Sequence, residues 1–336
     1  MTWQDIRKIE LHLHLEGAAP PDFIRRLAKE KSISLTRVFD AQGHYRFDDF
    51  PHFLQVYEAA TSVLKRPEDY ARLTTAVLEQ SAADGVIYTE AFLSPDFCGG
   101  GDLAGWREYL HAIQEAAEAA ETAHGITLRG IVTCIRHFGP YTARQIARCA
   151  AETAGAFITG FGMGGNETMG RQGDFAWSFD CAREAGLRLT THAGEFAGPE
   201  SVRQALDDLR VSRIGHGVRA AEDPALMERL AEAGTVLEVC PGSNIALGLY
   251  PDLRAHPIAK LRAAGVKVTV STDDPPFFRT SMSQEYQGLE RAFGWDEDDF
   301  AALNRTAVEA AFCDATTRKR LEGKLKAGPR KRRELP

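Results

Sequence analysis

His12 and His14 stand two residues apart in the run KIELHLH. In a β-strand, side chains two apart leave the same face, so both imidazoles can converge on one ion. Two histidines that merely faced solvent would sit oddly among Leu11, Leu13 and Leu15. His192, in Thr-Thr-His-Ala-Gly-Glu, offers a third ring nitrogen. Glu195 follows three residues later, where a partly desolvated carboxyl would gain a raised pKa and suit proton shuttling. Capping a helix is an equally good use for that acid. His216 lies between glycines in Ile-Gly-His-Gly, which lets backbone or substrate approach closely. The blander alternative is a structural histidine. Asp273 and Asp274 close the run KVTVSTDD ahead of Pro275 and Pro276. Adjacent acids at a strand end point different ways, so one can bind a metal while the other faces a substrate. Asp-Asp-Pro-Pro is also a strong turn signal, and both readings hold together.

These residues need elements to place them. Eight short apolar, β-rich runs recur along the chain: 8–14, 85–93, 127–136, 157–163, 188–193, 211–217, 235–240 and 267–272. Helical alternations lie between them. One is punctuated clearly, with Asp223 as N-cap, Pro224 at the first helical position and Gly234 past the end. Eight strands alternating with helices predict an α/β fold, a (β/α)₈ TIM barrel. No G-x-G-x-x-G follows the first strand, which counts against an open doubly wound sheet. The segment from Pro20 to Ala82 is too long for a simple crossover and reads as additional helices after the first strand, a lid over the barrel mouth. Residues 1–325 read as a single barrel domain, and the basic stretch 326–336 as a solvated tail.

In such a barrel the ends of strands one, five and eight share the C-terminal face, where active sites lie. His12, His14, His192 and Asp273 would meet there. Neutral imidazoles with one carboxylate suit a single Zn²⁺ and leave a position for water. An ion of that kind lowers the pKa of its water toward about 7. Glu195, His216 and Asp274 are the remaining groups that attack on a C=N carbon requires.

Composition narrows the partners. The 336 residues are 44% hydrophobic, ample for a large core, and carry a net charge of −7. That balance argues against nucleic acid or an anionic membrane as partner. The six cysteines form no C-x-x-C pair and read as reduced thiols. With no signal-peptide pattern and no membrane-length apolar run, a cytoplasmic location is expected.

Together, ELHLHLEG (10–17), THAGE (191–195), IGHG (214–217) and STDDP (271–275) resemble the adenosine/adenine deaminase family of metal-dependent amidohydrolases. The resemblance spans almost the whole chain, in the family's order. It implies one zinc per chain held by His12, His14, His192 and Asp273. It implies Glu195 as the acid that protonates purine N1, and His216 as the group that orients the attacking water. Asp274 would help deprotonate that water and contact purine N7. His14, Glu16, Gly165 and Asp274 would bind substrate, a small aminopurine.

Two positions depart from the family's commonest pattern. Gly-Asp-Glu is replaced by Gly165-Asn166-Glu167, which removes a negative charge near the purine. Glu16 stands where adenosine-specific members often carry the Asp that contacts the sugar. A Glu there resembles the branch that acts on free adenine. The primary expectation is deamination of adenosine or deoxyadenosine to the inosine form. The alternatives are deamination of adenine to hypoxanthine, deamination of a modified aminopurine, and an inactive binding protein on the same fold. The cytidine-deaminase signature pairs H-x-E with P-C-x-x-C, and no P-C-x-x-C is present.

Overall fold

The computed structural model describes residues 2–328. Residues 329–336, most of the basic tail expected from the sequence, lie outside the described residues. Among the described residues nine strands run in chain order: β1 (Lys8–His14), β2 (Val86–Leu93), β3 (Thr127–Ile135), β4 (Ile158–Gly164), β5 (Arg188–Leu189), β6 (His192–Ala193), β7 (Arg213–His216), β8 (Val236–Val239) and β9 (Lys267–Val270). All pair in parallel with their neighbours, β1 to β5 in one ladder and β6 to β9 in a second. The chain is a (β/α)₈ barrel in which the fifth strand position is split.

The sequence reading took 188–193 as one strand. Across the break the barrel bonds continue: Thr190 N–H donates to the Phe161 carbonyl at 3.1 Å, and the Thr191 carbonyl accepts from Gly215 N–H at 2.9 Å. Gln172 Nε2 and Arg136 Nη2 both donate to the His192 carbonyl, at 2.9 and 3.2 Å. Other strands stop one or two residues before their expected ends. His216 and Asp273 adopt left-handed backbone, with φ of 60° and 67°, and turn the chain out of the ladder.

Two backbone bonds join the last strand position to the first. His14 N–H donates to the Asp273 carbonyl at 3.0 Å, and Asp273 N–H donates to the His12 carbonyl at 3.1 Å. Leu13 and Asp273 form the corresponding parallel bridge.

The alternation in β1 separates two environments. Ile9 and Leu11 cluster with Ala307, Val308 and Leu321 of the C-terminal helices. Glu10, His12 and His14 take the opposite face. In β4 the inward positions are Gly160, Gly162 and Gly164. A Cβ on each would press on Phe312, on Thr190 and on the His192 ring at 2.8, 3.3 and 3.3 Å. The missing side chains leave room for groups contributed by other strands.

The segment after β1 holds three helices, Pro21–Glu30, Phe50–Thr61 and Pro67–Ala83, together with the isolated bridge between Phe39 and Tyr45. The punctuated helix forms as read: Asp223 accepts from Leu226 N–H at 3.1 Å, and Gly234 ends the helix at φ 65°. No helix among the described residues is long and apolar enough to cross a membrane.

Candidate active site

His12, His14, His192 and Asp273 each bring one ligand atom into a group within 4.8 Å of one another. His12 Nε2 and His14 Nε2 lie 3.4 and 3.2 Å from Asp273 Oδ1. His14 Nε2 lies 3.2 Å from His192 Nε2. A tetrahedral ion with bonds of about 2.05 Å places its ligands about 3.3 Å apart. His12 Nε2 is buried with no hydrogen-bond partner. The donor set, spacing and orphaned nitrogen fit one divalent ion.

The Nδ1 atoms of His192 and His12 are committed. His192 Nδ1 donates to the Met163 carbonyl at 2.8 Å. His12 Nδ1 donates to Glu238 Oε2 at 2.8 Å, with both side chains fully buried. These bonds turn each Nε2 lone pair toward the shared point. Glu238 also accepts from Thr190 Oγ1 at 3.0 Å and from Arg213 Nε at 2.6 Å. Arg213 pairs in turn with Glu90 at 2.6 Å. Burial pushes the Glu238 carboxyl up, but Arg213 and His12 hold it below its ordinary range.

Above this group opens a cavity of about 650 Å³, including its mouth. His14, His192, Asp273, Glu195, His216, Asp274 and Gly165 lie on its wall. Phe50, Phe53, Leu54 and Tyr57 of the helix Phe50–Thr61 also line it. Burial pushes Glu195 well above the ordinary carboxyl range, reinforced by the charges of Asp273 and Glu167. Burial first, then neighbouring Asp273, raises Asp274 as well. Burial holds His216 down at about 3, so its ring is neutral. Asp274 Oδ1 is buried without a partner.

Glu16 is placed differently from the other expected substrate contacts. It is 3% exposed and lies off the cavity wall. Tyr70 Oη donates to its Oε1 at 3.0 Å, and Cys98 Sγ approaches the same oxygen at 3.6 Å. Asn166, the other departure, turns away from the cavity chemistry. Its Oδ1 accepts from Thr168 N–H and Oγ1, while its N–H donates to His137 Nδ1. Glu167 instead holds the loop that carries Glu195. It accepts the N–H groups of Gly194, Glu195, Phe196 and Ala197 and the hydroxyl of Ser201.

Sequence reasoning passed over Glu238, Arg213, Ser243, Asn244 and His256. Ser243 Oγ donates to Asp273 Oδ2 at 2.7 Å, and Asn244 Nδ2 donates to Glu195 Oε1 at 3.2 Å. One signal was available: Glu238 is a lone acid inside the apolar run VLEV, and an acid in a buried strand needs a partner.

The family model for adenosine deaminase matches residues 7–327. An adenine deaminase of Rhizobium rhizogenes is 48% identical over 322 residues, covering 95% of this chain and 99% of that protein. The crystal structure of an adenine deaminase from Arthrobacter aurescens superposes with a TM-score of 0.88 at 29% identity, covering 96% of this chain and 98% of that one. An amidohydrolase structure from Burkholderia ambifaria with bound zinc gives a TM-score of 0.85 at 27% identity, covering 97% and 94%. With nearly its full length matched in sequence and in fold, the chain belongs to the adenosine deaminase family of hydrolytic deaminases.

Proposed function

We propose that the chain deaminates free adenine, taking adenine and water to hypoxanthine and ammonia. The observation that carries this reading is the wall beside His14. Glu16, Tyr70 and Cys98 fill the side on which the family resemblance puts the sugar, and Tyr57 stands in front of them. In this reading Glu16, tied to Tyr70 and Cys98, is not free to contact a ribose hydroxyl. The names of the relatives from Rhizobium rhizogenes and Arthrobacter aurescens agree.

His12, His14, His192 and Asp273 would hold one Zn²⁺, which supplies a Lewis acid and a water acidified toward neutral pH. The rest of the chemistry falls to side chains. Addition of water across N1=C6 breaks only its π bond and puts a proton on N1; the tetrahedral carbon then expels its amino group, with a proton from the added water, as ammonia. Glu195, kept protonated by burial, delivers the N1 proton. His216, neutral and beside Asp273, orients the attacking water. Asp274, raised by burial and on the cavity wall, would hold a proton for purine N7 to accept. The apolar lid residues exclude bulk water and strengthen these interactions.

A panel of adenine, adenosine, deoxyadenosine and N6-substituted adenines, followed by ultraviolet absorbance, tests the reading. Adenine should exceed both nucleosides in kcat/KM by about 100-fold or more. Equal or faster turnover of adenosine overturns it.

A further inference from the structure

His256 lies off the cavity wall, yet both its ring nitrogens are engaged. Nδ1 accepts the backbone N–H of Ile258 at 3.2 Å. In the neutral ring the proton therefore sits on Nε2. Nε2 is 3.1 Å from Asn244 Oδ1. A donor at that position fixes the amide with its carbonyl toward His256 and its NH₂ toward the site. Asn244 Nδ2 then lies 3.2 Å from Glu195 Oε1 and 3.4 Å from His216 Nδ1. These two acceptors are 3.5 Å apart, and the amide has one hydrogen for each.

Two protonation choices follow. His216 Nδ1 receives a hydrogen bond, so its own proton is on Nε2, the nitrogen 3.9 Å from Asp273 Oδ2. Glu195 Oε1 is likewise an acceptor, which leaves Oε2 to carry the proton of the acid. We infer that Asn244 and His256 are positioning residues that fix the tautomer of His216 and choose the protonated oxygen of Glu195. The inference rests on the proposed roles of Glu195 and His216.

A flipped Asn244 would set a carbonyl against the Glu195 oxygen and the His216 lone pair. It would also aim the His256 N–H at an NH₂ group. Both mismatches are buried, where unpaired polar groups are costly. His256 is 3% exposed, and burial holds it neutral, at about 3. The relay therefore keeps one setting across the working pH range.

Nitrogen-15 NMR of the histidine-labelled holoenzyme reads the tautomers directly. Both His216 and His256 should carry the proton on Nε2. His256→Leu and Asn244→Leu should lower kcat about 10- to 100-fold, with zinc content unchanged and KM within about threefold. His256→Gln, whose side-chain amide can donate to Asn244 Oδ1, should recover most of the rate. A proton on His216 Nδ1 overturns the inference, as does a normal kcat in His256→Leu or a loss of zinc accompanying the rate loss. An active Glu195→Gln would instead defeat the proposed role of the acid and leave the tautomer result standing.

Discussion

His12 Nδ1 and Glu238 Oε2 lie 2.8 Å apart with neither side chain exposed, so a candidate metal ligand is oriented by a carboxylate that water does not reach. Arg213, between Glu238 and Glu90, keeps that carboxylate charged. Glu238→Gln should weaken metal affinity about 10- to 100-fold. Competition with a chelator at fixed pH measures this. Unchanged affinity would show that His12 needs no orienting partner.

Glu195→Gln retains the acceptor for Asn244 but has no proton to give. Metal content should stay at the level of the parent protein while kcat falls about 10²- to 10⁴-fold. Metal analysis and steady-state rates on one preparation separate the two effects. Near-normal turnover would remove Glu195 from its role.

Gly17 is packed against Asp274. A Cβ at residue 17 would come within 1.5 Å of Asp274 Oδ1. Gly17→Ala must therefore displace Asp274 while leaving the four candidate ligands in place. We expect a loss in kcat/KM of about 100-fold with metal retained, since misplacement of a reacting group by about 1 Å costs that much. A variant with parental rate would show that Asp274 is dispensable.

Glu285 gives a pH signature in stability. It is buried and accepts from Gly242 N–H at 3.0 Å and Thr280 Oγ1 at 2.6 Å. Burial pushes its pKa from 4.5 to about 7. The folded chain then holds this proton more tightly than the unfolded chain does. The contribution is complete below about pH 4.5 and is lost as pH rises through about 7, a change on the order of 3 kcal/mol. Denaturant unfolding between pH 5 and 8 should show that decline, flattened in Glu285→Gln. The same slope in both proteins would assign it elsewhere.

The candidate ligands were legible because each sits at a strand end, where period-two alternation fixes the facing side. Their supporting residues were not. Glu238 reaches His12 only because β8 and β1 meet across the barrel interior, a separation of 226 residues. His256 and Asn244 carry no periodicity that marks them. The role of Glu16 as a substrate contact rests on the family resemblance alone. Its burial depends on Tyr70 and Cys98, which arrive from a helix and a loop whose packing no local pattern encodes.

Asp273 carries both main-chain bonds of the seam between first and last strand positions, and its side chain is the acid of the four-ligand group. Ring closure and ligand placement are therefore one event. The chain cannot assemble the fourth ligand before its two ends have met. An ion bound there would act as a rivet across that joint. Heat that opens the joint should release the ion at the same step, so thermal inactivation and metal loss should share one midpoint.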